Sequence, residues 1–393
     1  MKSVTRDEKK VFPPHMEDLI TKDNWFTSQK NVQWYCQNDE LGPSRIIWRG
    51  NRQATSLLYA EKGLDLDVFG NEDEESVLDY LKRTNTDAFL VMHKGKIVYE
   101  NYFNGYKPYQ LHAINSATKS FIGLIIGVLW HEGELDLDKK SSFYIPELEG
   151  TGLGDGTIQQ LMDMQVPVKY MEIDTPMGIG RGTLIFIAAG AMPKPDNYNG
   201  PENLYEVMLS SKKDKPSGAS FYYENGQTEV LGWIAKRLTG KNIAELIQDT
   251  IWFKLGAEEN ASMQLDPIGT DVANCGMRAT LRDLARFGEM MLNYGYYNDQ
   301  QIIPERIIRE IQKGSNKEYF EASDFGYLSG FSYHNQWWVN HDPFDGYSAH
   351  GRFDQRIYIA PKADTLIVKL SSYLPQKYET EVFQTITKYL MQQ

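Results

Sequence analysis

Two side chains three residues apart, in Ser116-Ala117-Thr118-Lys119, have the S-x-x-K form. On a helix that offset sets both on one face, one turn apart, so the amine can take the proton of the hydroxyl. The help is needed because serine is a poor nucleophile at neutral pH, and lysine is a base only where burial or a neighbouring cation lowers its pKa. The stretch that follows, Phe121 to Trp130, is apolar apart from Gly123 and Gly127, and supplies that burial. The pattern occurs a second time at Ser210-Ser211-Lys212-Lys213, in a charged stretch with no buried helix behind it. A helix-start serine beside a solvated lysine accounts for such a pair without catalysis, serine being a common N-cap.

Two further groups carry chemistry. Tyr223-Glu224-Asn225 is a Y-x-N, in which a phenol can relay a proton and an amide can hold a substrate amide. With 24 tyrosines in the chain, a core or rim tyrosine with a wet hydroxyl is the competing explanation. Ser348-Ala349-His350-Gly351 precedes the β-rich run Arg356 to Ile359, where a histidine at a sheet edge could sit beside the nucleophile. The chain has 7 histidines, and a hydrogen-bonded structural one is the alternative.

The elements that must position these groups follow from periodicity. Ala88 to His93 and Ile97 to Phe103 read as a hairpin across Lys94-Gly95-Lys96, so two antiparallel strands precede Ser116. From Ser116 the pattern becomes helical, with Phe121, Leu124, Ile125 and Leu129 on one side and a stop at Glu132-Gly133; Ser116 is expected in its first turn. Upstream, Glu72-Asp73-Glu74-Glu75 reads as the acidic opening of a helix to about Lys82. Between about 140 and 290 the strand signal is poor, and helices are expected at Ile158 to Met164, Thr228 to Leu238, Ile243 to Phe253 and Thr280 to Leu292. β-type runs return at Gln336 to Asn340, Arg356 to Ile359 and Thr365 to Leu370, and Glu379 to Met391 closes the chain as a helix. The fold class is therefore α/β, an antiparallel sheet flanked by helices plus a mainly helical inserted domain. Its expected parts are an N-terminal extension packed on the body (1–75, with Trp25, Trp34, Tyr35 and Trp48 as surface-covering anchors), an α/β domain (76–135 and 290–393) and a mainly helical domain (136–289).

Bulk properties narrow the function classes. A chain of 393 residues, 41% hydrophobic and 12% aromatic, has ample material for a core. A net charge of −12 without a basic run argues against a nucleic-acid partner. The longest apolar run is far too short for a membrane span, and the charged start, Met1-Lys2-Ser3-Val4-Thr5-Arg6, lacks an apolar signal region. Two cysteines, Cys36 and Cys275, without CxxC spacing fit a reducing compartment, so the expected location is cytoplasmic. No HExxH, paired-cysteine cluster or calcium-type loop is present, and neither a metal nor another cofactor is expected. The expected partner is a small-molecule amide or ester; a homodimer is compatible with everything above.

Taken in order, the three motifs resemble the penicillin-recognising serine hydrolases, the serine β-lactamase-like family. Flanking segments agree, among them Gly133-Glu134-Leu135-Asp136-Leu137-Asp138, Tyr144-Ile145-Pro146-Glu147-Leu148 and Leu231-Gly232-Trp233-Ile234-Ala235. Thr86-Asp87-Ala88-Phe89-Leu90-Val91, Gln336-Trp337-Trp338 and Ile367-Val368-Lys369-Leu370-Ser371-Ser372 resemble the class C and carboxylesterase branch, which includes the 6-aminohexanoate-dimer hydrolases. That resemblance implies Ser116 as acylated nucleophile, Lys119 as base and Tyr223 as proton donor to the leaving group. It also implies an oxyanion hole of the Ser116 N–H and a late-strand N–H, with Ala349 the best match. His350, Asn225, Tyr170 and Asn274 are implied near the substrate. The third motif departs from Lys-Thr-Gly, and Arg352 stands where many relatives have glycine, which argues against efficient β-lactam hydrolysis. A β-lactamase or D,D-peptidase, and a non-catalytic binding module on the same fold, are the alternatives.

Overall fold

A computed structural model describes residues 20–25, 41–66, 75–171, 183–373, 375 and 377–393. In chain order its principal strands are β1 (Ser44–Ile47), β2 (Leu58–Tyr59), β3 (Thr86–His93), β4 (Lys96–Tyr102), β5 (His112–Ala113), β6 (Ala261–Gln264), β7 (Met277–Ala279), β8 (Ser332–His334), β9 (Trp337–Val339), β10 (Tyr347–Gly351), β11 (Gln355–Ala360) and β12 (Thr365–Ser371). The helices that matter most below are α1 (Val77–Arg83), α2 (Thr118–His131), α3 (Asn225–Thr239), α4 (Leu281–Leu292) and α5 (Glu381–Leu390).

An eight-stranded sheet in the order β8-β9-β10-β11-β12-β3-β4-β2 forms the platform, antiparallel except for the β2–β4 pair. β3 sits inside it and is buried along nearly its whole length, so both of its faces must be apolar. The period-two geometry of a strand sends Ala88, Leu90 and Met92 into one core with α2 and α4, and Phe89 and Val91 into another with α1 and α5. The sheet is therefore a middle layer with helices on each side.

α2 runs through the larger core. Every residue from Thr118 to Gly127 is buried, and Phe121 stacks on Phe287 of α4 with ring centroids 4.1 Å apart. Its glycines are there for closeness: a Cβ on Gly123 would lie 2.3 Å from the Asn335 carbonyl oxygen. Each large apolar side chain so buried contributes about 1.5–3 kcal/mol relative to solvent exposure. Lys119 is held in that environment with 1% of its surface exposed.

Several boundaries differ from the sequence expectation. α1 begins at Val77 because the Ser76 side chain caps it by accepting the Asp79 N–H; Glu75 lies outside and grips Arg83 instead, with contacts of 2.6 and 2.7 Å. Residues 72–74 of that expectation, like Trp34 and Tyr35, lie outside the described residues. Ser116 occupies a 3-10 turn, Asn115–Ala117, just before α2 rather than its first α-helical turn. Ser348, Ala349 and His350 precede the expected strand, β11, and themselves form another, β10, paired with it. β6 and β7 break the helical section and join β1 and β5 in a four-stranded antiparallel sheet, order β1-β6-β7-β5. Strands of two to four residues are too short to register as alternation. Trp25 is buried, whereas Trp48 stays 42% exposed beside Phe253. Among the described residues no helix is long and apolar enough to cross a membrane.

Candidate active site

β5 delivers the chain to Ser116 through a tight turn. Asn115 adopts φ +48°, the left-handed region that asparagine tolerates better than most residues, and its Nδ2 donates to the Arg352 carbonyl oxygen at 2.8 Å. The Thr118 hydroxyl donates to the Asn115 carbonyl oxygen (2.7 Å) and accepts the Met277 N–H (3.1 Å), fixing the far side of the turn. One turn along α2, the Lys119 Nζ reaches three oxygens: Ser116 Oγ at 3.2 Å, Asn225 Oδ1 at 2.8 Å and the Asn274 carbonyl at 2.9 Å. Burial pulls the Lys119 pKa down to about 8, against the opposing influence of Cys275, Glu229 and Glu224. The other S-x-x-K is elsewhere: the Ser210 hydroxyl donates to the Val207 carbonyl oxygen, and Lys213 is exposed and paired with Asp155.

α3 supplies the second group. Glu224 is its N-cap, accepting the Gly226 and Gln227 N–H groups at 2.8 and 3.3 Å, and this sets Tyr223 and Asn225 on either side. The Tyr223 ring is packed by Phe325, Trp338 and Tyr333 at centroid distances of 5.5, 5.5 and 5.9 Å. Its side chain shares the cavity wall with Ser116, and burial holds the phenol well above its ordinary pKa against the opposing influence of Ser116. It is a protonated donor at neutral pH. Further back, the Glu229 carboxylate accepts the Asn274 N–H (2.8 Å), the Asn274 side-chain amide (2.5 Å) and the Ala273 N–H (3.3 Å), holding the carbonyl that faces Lys119. Burial raises both Glu224 and Glu229 to about 7.

The third motif is divided by the pleat of β10. Ala349 points into the large core and is fully buried, away from the cavity beside Ser116. His350 points to the opposite face, stacked flat behind Trp338 at 4.7 Å with Nε2 2.7 Å from the Ser348 hydroxyl, and burial with the nearby Arg356 keeps it far below its usual pKa. The residue of this segment that reaches the cavity is Arg352. A Cβ on Gly351 would lie 2.1 Å from the Ile114 carbonyl oxygen, so glycine lets this backbone press against the Ser116 turn. Neither the Ser116 nor the Arg352 N–H donates to a described acceptor.

The cavity that Ser116 faces holds about 290 Å³. Ser116, Tyr223, Asn225, Asn274 and Cys275 form its polar wall, and Trp25, Phe186, Phe325, Phe353 and Tyr378 much of the apolar one. Tyr170 is not on it: its buried hydroxyl lies behind the start of α3, where a Cβ on Gly226 would come within 2.1 Å of it. The structure thus gathers Ser116, Lys119, Tyr223, Asn225 and Asn274, and sets Ala349, His350 and Tyr170 behind the walls. Asn115, Glu224 and Glu229 are the participants that motif reading did not assign a site role, and Arg352, read there as a departure from glycine, also reaches the cavity. An asparagine immediately before the serine is the one local signal among them, being suited to the left-handed turn.

Comparison with known proteins gives the chain a family. The β-lactamase family model matches residues 76–389. The 6-aminohexanoate-dimer hydrolase of Paenarthrobacter ureafaciens is 31% identical over 358 residues, 90% of this chain and 88% of that protein. A Bacillus anthracis structure provisionally assigned as a 6-aminohexanoate-dimer hydrolase is 34% identical, with TM-score 0.86 over 96% of each chain. A family VIII carboxylesterase shares the fold, with TM-score 0.60 and 15% identity over 80% of this chain and 94% of that one. With a family match over most of its length, the chain belongs to the β-lactamase family of hydrolases and is similar within it to the 6-aminohexanoate-dimer hydrolases.

Proposed function

We propose that this protein is a serine hydrolase that cleaves small linear amides and esters through an acyl-enzyme on Ser116. The observation that carries the reading is the environment of Lys119. A neutral amine there donates its two hydrogens to Asn225 Oδ1 and the Asn274 carbonyl, and its lone pair then faces the Ser116 hydroxyl. With the pKa at about 8, that neutral form is accessible near neutral pH.

In this mechanism the Ser116 proton passes to Lys119 as Oγ attacks the substrate carbonyl carbon. The developing oxyanion is received by the free N–H groups of Ser116 and Arg352. Tyr223 gives its proton to the leaving nitrogen or oxygen and recovers one from Lys119. Water then attacks the acyl-enzyme by the reverse proton path. Asn225 spends its carbonyl on Lys119 and keeps its NH₂ for the substrate. Arg352 at the cavity wall, following a third motif that is not lysine-threonine-glycine, favours short esters and amino-acid-like oligomers over penicillins.

Intact-mass analysis after exposure to a serine-directed phosphonate, with the adduct mapped, tests the nucleophile: a single adduct on Ser116, absent from Ser116→Ala, is expected. An adduct on Ser210, or none, overturns the assignment. For substrate class, kcat/KM is compared across a short p-nitrophenyl ester, a linear aminohexanoate dimer and a chromogenic cephalosporin. A cephalosporin turned over orders of magnitude faster than the others would make the protein a β-lactamase.

A further inference from the structure

We propose that His112 and Asp87 form a buried charged pair whose work is to position the turn carrying Ser116, an inference that rests on the acyl-transfer reading above. His112 lies on β5, four residues before Ser116, and the side chains of both partners are 0% exposed. Its Nε2 is 3.1 Å from Asp87 Oδ2 and its Nδ1 is 3.0 Å from the Ala113 carbonyl oxygen. A carbonyl and a carboxylate only accept, so each contact needs an N–H on the ring. A neutral imidazole has one. The geometry points to an imidazolium.

Asp87 is solvated by the protein as an anion should be. Its Oδ1 accepts the Asn104 side-chain amide at 2.9 Å and the Ser372 hydroxyl at 3.4 Å. A buried pair of this kind holds its charges only when the remaining lone pairs are so satisfied. Among the described residues, the titratable and charged groups beside His112 include Asp87 from β3, Tyr106, whose ring meets the imidazole edge-on at 5.5 Å, and, across the strand pair, Arg278 of β7, opposite Ala113.

The consequence for Ser116 is geometric. β5 is only two residues long, and its ladder to β7 is a weak hold on its own. The imidazolium ties the Ala113 peptide to β3 through Asp87, and the Ile114 N–H then donates to the Met277 carbonyl at 3.1 Å. The left-handed Asn115 and the Ser116 N–H follow directly. Loss of one ring proton leaves two acceptors facing one donor and frees the peptide that leads into the turn. His112 and Asp87 touch no substrate, so the effect falls on the rate of the acylation step. Substrate binding is left largely intact.

Selective ¹⁵N-histidine labelling of the full chain reads the protonation state, the His112 signal being the one absent from His112→Asn. Both His112 nitrogens protonated at neutral pH, and a neutral ring in Asp87→Asn, are expected; a neutral His112 in the parent protein overturns the proposal. At pH above about 8, where Lys119 is neutral, Asp87→Asn should phosphonylate Ser116 about 10- to 100-fold more slowly. KM should barely move. An unchanged rate in a folded Asp87→Asn also overturns it. Asn104→Ala, which removes one donor to Asp87, should slow phosphonylation the same way by less; no slowing there, where Asp87→Asn does not fold, counts against the pair. A parent protein with no reactive Ser116 would sink the acyl-transfer reading instead, and the ¹⁵N result would stand apart from it.

Discussion

Lys119 on α2 and Lys369 on β12 are the same residue, buried to the same degree, with 1% and 0% exposed. Their surroundings separate them. Lys369 contacts the Asp354 carboxylate directly and lies 3.5 Å from the Tyr80 hydroxyl, while Arg356 Nη2 is 2.9 Å from the other Asp354 oxygen. Burial alone would raise Asp354, but Lys369 and Arg356 overturn it and hold the carboxyl below its usual range, so the pair stays charged. Lys119 is given a hydroxyl, an amide oxygen and a backbone carbonyl, all neutral. A carboxylate partner fixes a buried ammonium. Neutral acceptors solvate it well enough to exist and poorly enough to let the proton go. Burial makes a lysine unusual, and on the proposed reading the charge of its partner decides whether it acts as a base or a brace.

The sharpest way to break the comparison is to remove each ammonium and ask what is lost. Lys119→Met should cost about 10³-fold in kcat, the scale of a deleted general base. Its stability should change little. Lowering the pKa from 10.5 to about 8 corresponds to about 3 kcal/mol at about 1.4 kcal/mol per pH unit, which the substitution relieves. The orphaned Asn225 and Asn274 oxygens return a cost of about 1–3 kcal/mol each. The sign with pH is fixed. Below about 8 Lys119 is an ammonium in folded and unfolded chains alike and the cost is fully present; between about 8 and 10.5 only the unfolded chain binds the proton, so stability rises relative to the mutant. Activity should climb with pH through about 8 for the same reason. A rate flat from pH 6 to 9, or a Lys119→Met enzyme with parental turnover, removes Lys119 from the mechanism.

Lys369→Met should show the reverse pattern. Taking one member from a buried pair costs about 3–5 kcal/mol, read as a lower urea midpoint, while kcat of the folded protein falls far less than in Lys119→Met. Asp354→Asn combined with Lys369→Met should be milder than the two singles added, with a coupling of about 1–3 kcal/mol. Additive losses would mean the two residues are stabilised independently and the brace reading is wrong.

How far sequence could go follows from which forces are local. The β3–β4 hairpin and α2 were legible because apolar-rich runs of seven residues or more are bounded by glycine-containing turns. The S-x-x-K spacing singled out Ser116 and Lys119, which the structure brings into contact, while the roles expected of them and of Tyr223 came from family resemblance. β10 was not, since Tyr-Ser-Ala-His-Gly mixes small and polar residues. Its register therefore could not be read, and Ala349 and His350 turn out to face opposite sides of the sheet, away from the cavity. The roles of Glu224 and Glu229 were hidden for a different reason: an acid stands out only when it is buried, which depends on residues distant in sequence, such as Tyr170 for Glu224 and Asn274 for Glu229. Tyr170 was taken from family resemblance, and the actual path of the chain before the start of α3 sets it behind the wall.

A smaller effect separates the roles on either side of Ser116. Burial keeps the Tyr223 phenol protonated, and in the proposed mechanism it protonates what leaves. An amine leaves poorly without that proton and a p-nitrophenolate leaves without help. Tyr223→Phe should lose about 10²-fold on a linear amide and under about 10-fold on the activated ester. Equal losses on both would assign Tyr223 to holding Ser116 in place.

The smallest expected effect belongs to a third lysine, which completes the comparison. Lys213 is 54% exposed at its side chain and shares Asp155 with Lys140, an arrangement worth about 0–1 kcal/mol. Ser210, its S-x-x-K partner by sequence, sits at the end of the helix Leu204–Leu209, where its hydroxyl donates to the Val207 carbonyl oxygen at 2.8 Å. That bond is made next to water, so losing it exchanges one partner for another. Ser210→Ala should therefore leave kcat/KM unchanged and move the urea midpoint by no more than about 0.5 kcal/mol. The same serine-to-alanine change at Ser116 should abolish turnover with the fold intact. Identical spacing, opposite outcome: what distinguishes the two pairs is that one lysine is surrounded by neutral oxygens in a dry core and the other by water. A damaging Ser210→Ala would show that spacing had been matched to the wrong environment.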